Sequence, residues 1–325
     1  MAPLRVAFMG TAPLSCASLR ALADALGFQV VAVVTQPDRP KGRSLKLQPT
    51  PVKELALRCN LPVLQPERAR SPEFIEQLRA CRPDLIAVAA YGQILSQDLL
   101  DMPRFGCLNV HTSLLPKYRG AGPIQWAILN DEKETGVTIM KMDVGLDTGP
   151  LLARETTPIH PEDTSVTLHD RLAQIGAALL VRTIPDFVAG KIQPQPQPSQ
   201  GVTYAPKIKK QDGHLDWAQP ARTLWNRVRG LLPWPGAFTF LPGSPGTPSS
   251  TPAQPHLLKI WQAEIDDLNG PPGEILRADK NGLIVGTGHQ ALRLLQLQRE
   301  GGIHLSAQQF LAGHPLAPGQ RFDKP

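Results

Sequence analysis

The first half of the chain alternates fully apolar segments with segments of helical periodicity, and this alternation strongly limits the possible folds. Helices are predicted over Ser15–Leu26 and over 71–81, where Ser71 suits an N-cap and Pro72 the first helical position. Apolar runs that predict strands are Leu4–Met9, Val30–Thr35, Leu85–Ala90, Cys107–His111 and Val137–Met142. Strands that are apolar on both faces and separated by helices predict an α/β fold with a mostly parallel sheet covered by helices.

The second half has a different organisation. A long helix is predicted over Ser165–Ala189, capped by Thr164 or Ser165, and a Gln-Pro repeat that cannot form helix follows it. We therefore predict a first domain over 1–190, a linker over 191–210 and a second domain over 211–325.

The second domain is predicted to be small and rich in β-structure. A helix over Ala221–Gly230 precedes strand-like segments at Ala237–Leu241, Leu257–Ala263, Gly282–Gly286 and Ala291–Leu297. Short strands with turn signals at this spacing often close into a barrel. The proline-rich segment Pro242–His256 is predicted to be a flexible surface loop.

Charge is concentrated in the second half. The chain has a net charge of +6, and residues 191–325 hold 14 basic and 9 acidic residues. The basic residues that would suit a phosphate backbone are Lys207, Lys209, Lys210, Arg222, Arg227 and Arg229. Solvated surface charges explain such a bias equally well, so charge alone leaves nucleic-acid binding open.

Composition excludes several classes of protein. No apolar run approaches the ~18 residues of a membrane span, so no membrane association is expected. The 4 cysteines form no CxxC pair and no zinc-like spacing, which favours a reduced, cytoplasmic protein without a metal site.

The densest group of polar residues, Asn109–Gly120, directly follows the fourth predicted strand. Asn109 and His111 are two positions apart, so on an extended strand they point to the same side. An amide that holds a carbonyl oxygen as it gains negative charge, beside an imidazole that carries protons, suits acyl chemistry. By itself, however, this pair is more typical of a strand end with a hydrogen-bonded histidine.

A glycine-rich loop, Asp143–Pro150, follows the fifth predicted strand and supplies two carboxylates. An aspartate beside a histidine can orient the ring and stabilise its charged form. Asp147 lies deeper in the loop and is the better candidate, but the spacing leaves Asp143 and Asp147 both open.

Other chemistries have weaker support. One histidine and one aspartate do not supply the three or four ligands of a metal site. The chain has no G-x-S-x-G elbow of a serine hydrolase, and the turn at Gly10–Pro13 lacks the G-x-G-x-x-G of dinucleotide-binding proteins.

A second segment of interest, Thr35–Lys53, has five basic residues against one acid. Its four prolines and one glycine predict a long loop, and long loops in compact domains are usually functional or mobile. Its basic side chains would suit phosphate contacts. A surface loop whose charges are simply solvated explains the same composition equally well.

Together these segments resemble the methionyl-tRNA formyltransferase family. The resemblance spans the whole chain and is carried by TQPDRP at 35–40 with Gly42-Arg43, NVH at 109–111, SLLP at 113–116 with Arg119-Gly120, ETGVTIM at 134–140, DVGLDTG at 143–149, and Trp234-Pro235. The SLLPxxRG run also occurs in other folate-dependent formyltransferases. In the first loop, Ala12-Pro13-Leu14 stands where the family has proline followed closely by an aromatic residue.

The resemblance implies a Rossmann-like formyltransferase domain joined by the linker to an OB-like β-barrel domain that binds tRNA. It implies formyl transfer from 10-formyltetrahydrofolate, without a metal, to the free amino group of methionyl initiator tRNA. A cytoplasmic monomer with no obligate protein partner is expected.

The resemblance also assigns roles to individual residues. The catalytic residues are Asn109, His111 and Asp147; the folate-binding residues are Ser113, Leu114, Leu115, Pro116, Tyr91 and Gly92. Of the predicted substrate- or tRNA-binding residues, the resemblance assigns Gly10, Thr11 and Arg43, whereas Arg39, Lys41, Lys207, Lys209 and Lys210 are predicted from their charge.

Two alternatives remain open. A formyltransferase or hydrolase of the same superfamily, acting on a sugar-nucleotide amine or on formyl-folate, would share the catalytic residues. The second is a non-catalytic RNA-binding module on a Rossmann-like scaffold, which would bind RNA in a salt-dependent way without formyl transfer.

Overall fold

The computed structural model describes residues 2–41, 46–242 and 256–322 of the chain, which divide into two compact units. The first unit contains the residues up to Pro123 together with Glu134–Pro158 and Leu168–Pro206. The second contains Ile124–Lys133, Ile159–Thr167 and the residues from Lys207 on. Two short segments that precede residue 190 therefore belong to the second unit.

The first unit is built on a seven-stranded sheet of order β5-β2-β1-β6-β7-β8-β9. The strands are β1 (Leu4–Gly10), β2 (Phe28–Val34), β3 (Arg39–Lys41), β4 (Lys46–Gln48), β5 (Val63–Leu64), β6 (Leu85–Ala89), β7 (Cys107–His111), β8 (Glu134–Lys141) and β9 (Leu151–Pro158). The pairings from β5 to β7 are parallel, and β3 and β4 form a separate hairpin. The predicted mostly parallel, Rossmann-like sheet is confirmed.

The strand predicted at Val137–Met142 corresponds to β8, and it runs antiparallel to β7. Asn109 pairs with Met140 and His111 with Thr138, so β8 ends beside the start of β7. The loop after β8 therefore leaves the sheet at the end opposite to His111. An antiparallel strand is compatible with the predicted mostly parallel sheet, and the apolar run itself carried no information on strand direction.

Helices alternate with the strands along the first 190 residues, and the periodicity predicted those over 15–26, 71–81 and 165–189 but not the others. The helices are α1 (Pro13–Asp24), α2 (Pro51–Arg58), α3 (Pro72–Ala80), α4 (Gln97–Leu100), α5 (Pro123–Leu129) and α6 (Ser165–Val188). The predicted caps at Ser71 and Thr164 are confirmed. The Ser71 hydroxyl accepts a hydrogen bond of 3.4 Å from Phe74 N, and the Thr164 hydroxyl accepts one of 3.3 Å from Thr167 N. In the part of the chain that is described, no helix combines the length and the apolar character needed to cross a membrane.

The core on one side of the sheet shows why these residues form these elements. Met9, Ile86 and Val88 of the central strands are buried against Phe74 and Leu78 of α3. Burial of such side chains contributes roughly 1.5–3 kcal/mol each, which favours fully apolar strands between covering helices. The carboxyl ends of the parallel strands stay open for polar residues.

The second unit has an antiparallel sheet of order β10-β11-β14-β13-β12, with a short strand, β15, paired to β14. Its elements are α7 (Ala221–Gly230), β10 (Ala237–Phe240), β11 (Leu257–Asp266), β12 (Ile275–Asp279), β13 (Gly282–Gly286), β14 (Ala291–Arg299), β15 (Leu305–Ser306) and α8 (Ala307–Gly313). This architecture is the one expected of an OB-like domain. The sequence pattern missed β12 and β15, and residues 243–255 of the predicted proline-rich loop lie outside the described residues.

Candidate active site

β7 presents Asn109 and His111 on the same side, as their spacing predicts. The His111 side chain is 7% exposed, whereas Asn109 is half-buried. Within the described residues the Asn109 amide makes no hydrogen bond, so its donors are available to a bound molecule.

The protonation of His111 follows from its neighbours. Its Nε2 lies 3.0 Å from the carbonyl oxygen of Tyr118, and a carbonyl only accepts hydrogen bonds, so Nε2 carries a proton. The other ring nitrogen, Nδ1, lies 3.7 Å from Oδ2 of Asp147. A neutral ring therefore turns an unprotonated nitrogen towards a carboxylate, and a proton received at Nδ1 is stabilised by the negative charge.

Asp147, and not Asp143, is the carboxylate that the structure brings to His111. Gly120 N donates a hydrogen bond of 2.8 Å to Oδ2 of Asp147. Asp143 is exposed, and its Oδ1 accepts from Gly145 N at 3.0 Å and from the Thr148 hydroxyl at 2.7 Å. The first aspartate thus shapes the turn while the second reaches the histidine.

The predicted folate-binding run, Ser113–Pro116, is held in place by hydrogen bonds with a side chain of β8. The Thr138 hydroxyl donates to Ser113 O at 2.7 Å and accepts from Leu115 N at 3.2 Å. Ser113 and Leu115 are fully buried, and Leu114 and Pro116 are half-buried. Any contact to a ligand from this run is therefore left to its backbone and to Leu114 and Pro116.

The loops after β1 and β6 meet at the carboxyl ends of these two parallel strands. Thr11 donates from its hydroxyl to Tyr91 O at 2.8 Å, and Gln36 donates from Nε2 to the same oxygen at 3.0 Å. A methyl group on Gly10 would lie 2.6 Å from a side chain of α1, so only glycine permits this close approach. Gly92 has φ +81°, a conformation that favours glycine.

The Tyr91 side chain points into the core rather than towards a ligand. It is 2% exposed, and burial raises its pKa to about 12. Among the described residues its hydroxyl has no hydrogen-bond partner. A folate contact predicted at Tyr91 is thus left to its backbone.

Residues 51–53 of the predicted long loop Thr35–Lys53 already belong to α2, and β3 and β4 within the segment form a short antiparallel hairpin. At its base, Lys53 Nζ lies 2.7 Å from Oδ2 of Asp38, and hydrogen bonds from Lys53 and Gln65 lower the pKa of this carboxyl. Arg39 lies 3.7 Å from Glu67. Arg43 lies outside the described residues, and Lys41 is described as part of β3 only.

The basic residues of the second unit fall into two groups. Lys207, Lys209 and Lys210 are exposed. On α7, Arg229 is 7% exposed and donates to Asp163 O at 3.0 Å, while Arg222 pairs with Asp131 at 2.8 Å. The expectation that Arg229 would face a phosphate backbone was wrong, because this guanidinium is buried and hydrogen-bonded within its own unit.

Sequence reasoning missed Gln197, which contacts the loop after β8, Asp143–Pro150 (the catalytic loop). Gln197 donates from Nε2 to the carbonyl oxygens of Asp147 and Gly149, both at 2.8 Å. It lies in the Gln-Pro repeat, whose composition gave no signal beyond extended structure.

Comparison with family models gives two matches. The model described as "Formyl transferase" matches residues 4–184, and that described as "Formyl transferase, C-terminal domain" matches residues 207–315. Similar curated proteins include the methionyl-tRNA formyltransferase of Trichlorobacter lovleyi, which is 51% identical over 97% of this chain and 96% of its own length. That of Geobacter sulfurreducens is 47% identical over 99% of this chain and 97% of its own length.

Solved structures share the fold at lower identity. An N-formyltransferase from Helicobacter canadensis, in complex with folinic acid and dTDP-3-aminofucose, has a TM-score of 0.62 and 18% identity, covering 90% of this chain and 99% of that one. HypX from Aquifex aeolicus in complex with tetrahydrofolic acid has a TM-score of 0.61 and 18% identity, covering 100% of this chain and 51% of that one.

Proposed function

This chain belongs to the formyl transferase family, as one of the methionyl-tRNA formyltransferases, and we propose that Asn109, His111 and Asp147 perform its reaction. The enzyme transfers a formyl group from 10-formyltetrahydrofolate to the free amino group of methionyl initiator tRNA, which gives formylmethionyl-tRNA for translation initiation. The observation that carries the assignment of residues is the approach of Asp147 Oδ2 to His111 Nδ1, at 3.7 Å, on the strand whose Asn109 amide makes no hydrogen bond within the described residues.

The chemistry follows from what each group can do. The neutral methionyl amine attacks the formyl carbon, a C–N bond forms, and the formyl oxygen gains negative charge. The Asn109 amide donates a hydrogen bond to this oxygen, a contribution that is typically worth about 10²–10³ in rate.

Proton transfer completes the reaction. The amine loses a proton, which His111 accepts at Nδ1, where the carboxylate of Asp147 stabilises it. The C=O bond then re-forms as the bond from the formyl carbon to folate N10 breaks, and His111 gives its proton to the departing N10. No net charge is gained or lost over the cycle, so the histidine returns to its neutral state.

Substrate recognition is divided between the two halves of the sequence. We assign the chemistry to the domain 1–190, and we propose that the OB-like domain 211–325 binds tRNA together with residues of the first domain and of the linker 191–210. Gly92 and the run Ser113–Pro116 are assigned to folate. Contacts to tRNA are assigned to Gly10, Thr11, Arg39, Lys41, Arg43, Lys207, Lys209 and Lys210. Since initiator tRNA is used where translation begins, we also propose that the enzyme acts in the cytoplasm as a monomer.

The test offers 10-formyltetrahydrofolate with one acceptor at a time: methionyl initiator tRNA, the same tRNA uncharged, or a UDP-amino-sugar. Formylation of methionyl-tRNA alone is expected, and His111→Ala should abolish it. Product with the amino-sugar alone would favour a sugar formyltransferase. RNA binding without any formyl transfer would favour a binding module.

A further inference from the structure

The side chain of Gln197 connects two parts of the candidate active site. Its Nε2 donates to the carbonyl oxygens of Asp147 and Gly149, both at 2.8 Å. Its Oε1 accepts from Arg119 Nε at 3.1 Å and from Arg119 Nη2 at 2.7 Å. Both amide protons and both acceptor positions are thus used.

The orientation of this amide is fixed by its partners. The two carbonyl groups only accept hydrogen bonds and a guanidinium only donates them, so a flipped amide would lose all four contacts. Arg119 therefore sets the orientation of Gln197, and Gln197 transmits it to the Asp147 loop.

The loop needs to be held from outside. Asp147 has φ +52°, in the left-handed region that residues other than glycine rarely adopt. Its neighbours Val144 and Leu146 are 71% and 62% exposed, so the loop has little apolar packing of its own. Hydrogen bonds from Gln197 and from Gly120 N are what hold Asp147 at both its backbone and its carboxylate.

Gln197 is itself held in place on both sides. Before it, Gln195 and Leu151 exchange two backbone hydrogen bonds of 2.7 and 2.8 Å. After it, Arg119 N donates to Thr203 O at 2.9 Å, and Ala205 N donates to Arg119 O at 2.7 Å. The segment is therefore tied to the start of β9 and to the loop after β7, which fixes where the Gln197 side chain reaches.

We propose that Gln197 is a positioning residue for the reaction: it holds the backbone of Asp147 so that the carboxylate stays aligned with His111. This inference rests on the proposed role of Asp147. Gln197 touches no reacting atom in this scheme and acts through Asp147 alone.

The first experiment compares Gln197→Ala and Gln197→Glu with Gln195→Ala. Gln195 is a matched control, because it lies two residues away and its contacts to Leu151 come from the backbone, which alanine keeps. Loss of alignment at a catalytic group can cost up to about 10²-fold, so both Gln197 variants should lose about 10- to 100-fold in kcat. KM for methionyl-tRNA and for 10-formyltetrahydrofolate should not change, and Gln195→Ala should behave as wild type.

Gln197→Glu separates positioning from general stability. It matches glutamine in size and keeps the contact to Arg119, but it turns an acceptor towards two carbonyl oxygens. Circular-dichroism melting of each variant shows whether the fold is retained, and Gln197→Glu carries the test if the alanine variant melts early.

The second experiment is a double-mutant cycle. Because Gln197 acts through Asp147, Gln197→Ala should not slow the Asp147→Asn enzyme further, and both single variants should alter the pH profile of kcat in the same direction. The proposal would be overturned if Gln197→Ala and Gln197→Glu both turn over at the wild-type rate. It would also be overturned if Gln197→Ala slows the wild type and the Asp147→Asn enzyme by the same factor. Wild-type turnover of Asp147→Asn would instead overturn the catalytic assignment itself.

Discussion

Oδ2 of Asp147 lies 3.7 Å from Nδ1 of His111 and accepts a hydrogen bond of 2.8 Å from Gly120 N. The carboxylate is therefore anchored close to the ring without being locked onto it by a short hydrogen bond. Since Nε2 of His111 is committed to Tyr118 O, Nδ1 is the nitrogen left to exchange a proton. The two residues thus form a site that can accept a proton and stabilise it, which formyl transfer to an amine requires.

Replacement of Asn109 by alanine should lower the rate of formyl transfer without weakening tRNA binding. The amide makes no hydrogen bond within the described part of the chain, so its removal leaves no buried partner unsatisfied. Loss of one oxyanion donor costs about 10²–10³ in rate, which single-turnover formylation of methionyl-tRNA would measure. An unchanged single-turnover rate, with tRNA affinity also unchanged, would show that Asn109 does not stabilise the oxyanion.

A methyl group at Gly149 should destabilise the first unit. An added Cβ would lie 1.8 Å from Lys141 O, so the backbone of the catalytic loop would have to move. Overpacking typically costs about 1–3 kcal/mol, which corresponds to a decrease in Tm of roughly 2–12 °C at this domain size. Gly313→Ala is the control, since nothing lies within 4 Å of the added atom; an equal decrease in both variants would contradict this explanation.

The sequence predicted the parts of the site that depend on local pattern. The bounds of β7, Cys107–His111, agree with the prediction, and the two-residue spacing correctly put Asn109 and His111 on one side. Such periodicity is a property of an extended chain and needs no knowledge of the rest of the fold.

The remaining features depend on contacts that are distant in the sequence. The direction of β8 is set by its antiparallel pairing with β7, and the choice of Asp147 over Asp143 and the contact from Gln197 arise from how the loop after β8 folds back. Arg229 shows a further limit, since a positive charge in a sequence gives no sign of whether it is buried and paired. Tertiary contacts decide these features, and a local pattern does not contain them.

The stability of the second unit should depend on the ionisation of Asp131. Burial raises its pKa, but hydrogen bonds from Arg222, Asn226 and Lys133 outweigh this effect and lower the pKa to about 2. An aspartate has a pKa of about 3.9 in an unfolded chain, so the ionised form adds stability above pH ~4, and this contribution is lost as the pH falls towards about 2.

Asp131→Asn removes the titrating group and should flatten this acid dependence. The φ of +56° at this position is tolerated by asparagine, so the backbone should not change. The free energy of unfolding, measured between pH 5 and pH 2, should fall less steeply in the variant than in the wild type. Because the side chain is 35% exposed, the difference is expected to be small and to decrease with salt. Parallel curves for the two proteins would contradict a role for Asp131.

Lys209 should contribute to tRNA affinity through charge alone. It is exposed on the second unit, between the exposed side chains of Lys207 and Lys210, as a phosphate contact requires. One lost phosphate contact reduces the slope of log K against log salt by about 1, so Lys209→Ala should bind methionyl-tRNA more weakly at low salt and approach wild type at high salt. Lys280→Ala is the control, because Lys280 is also exposed but lies at the β12–β13 turn, to which no tRNA contact is assigned. An equal change of slope in both variants would mean that net charge, and not a contact at Lys209, sets the affinity. No change in either would exclude Lys209 from the tRNA-binding surface.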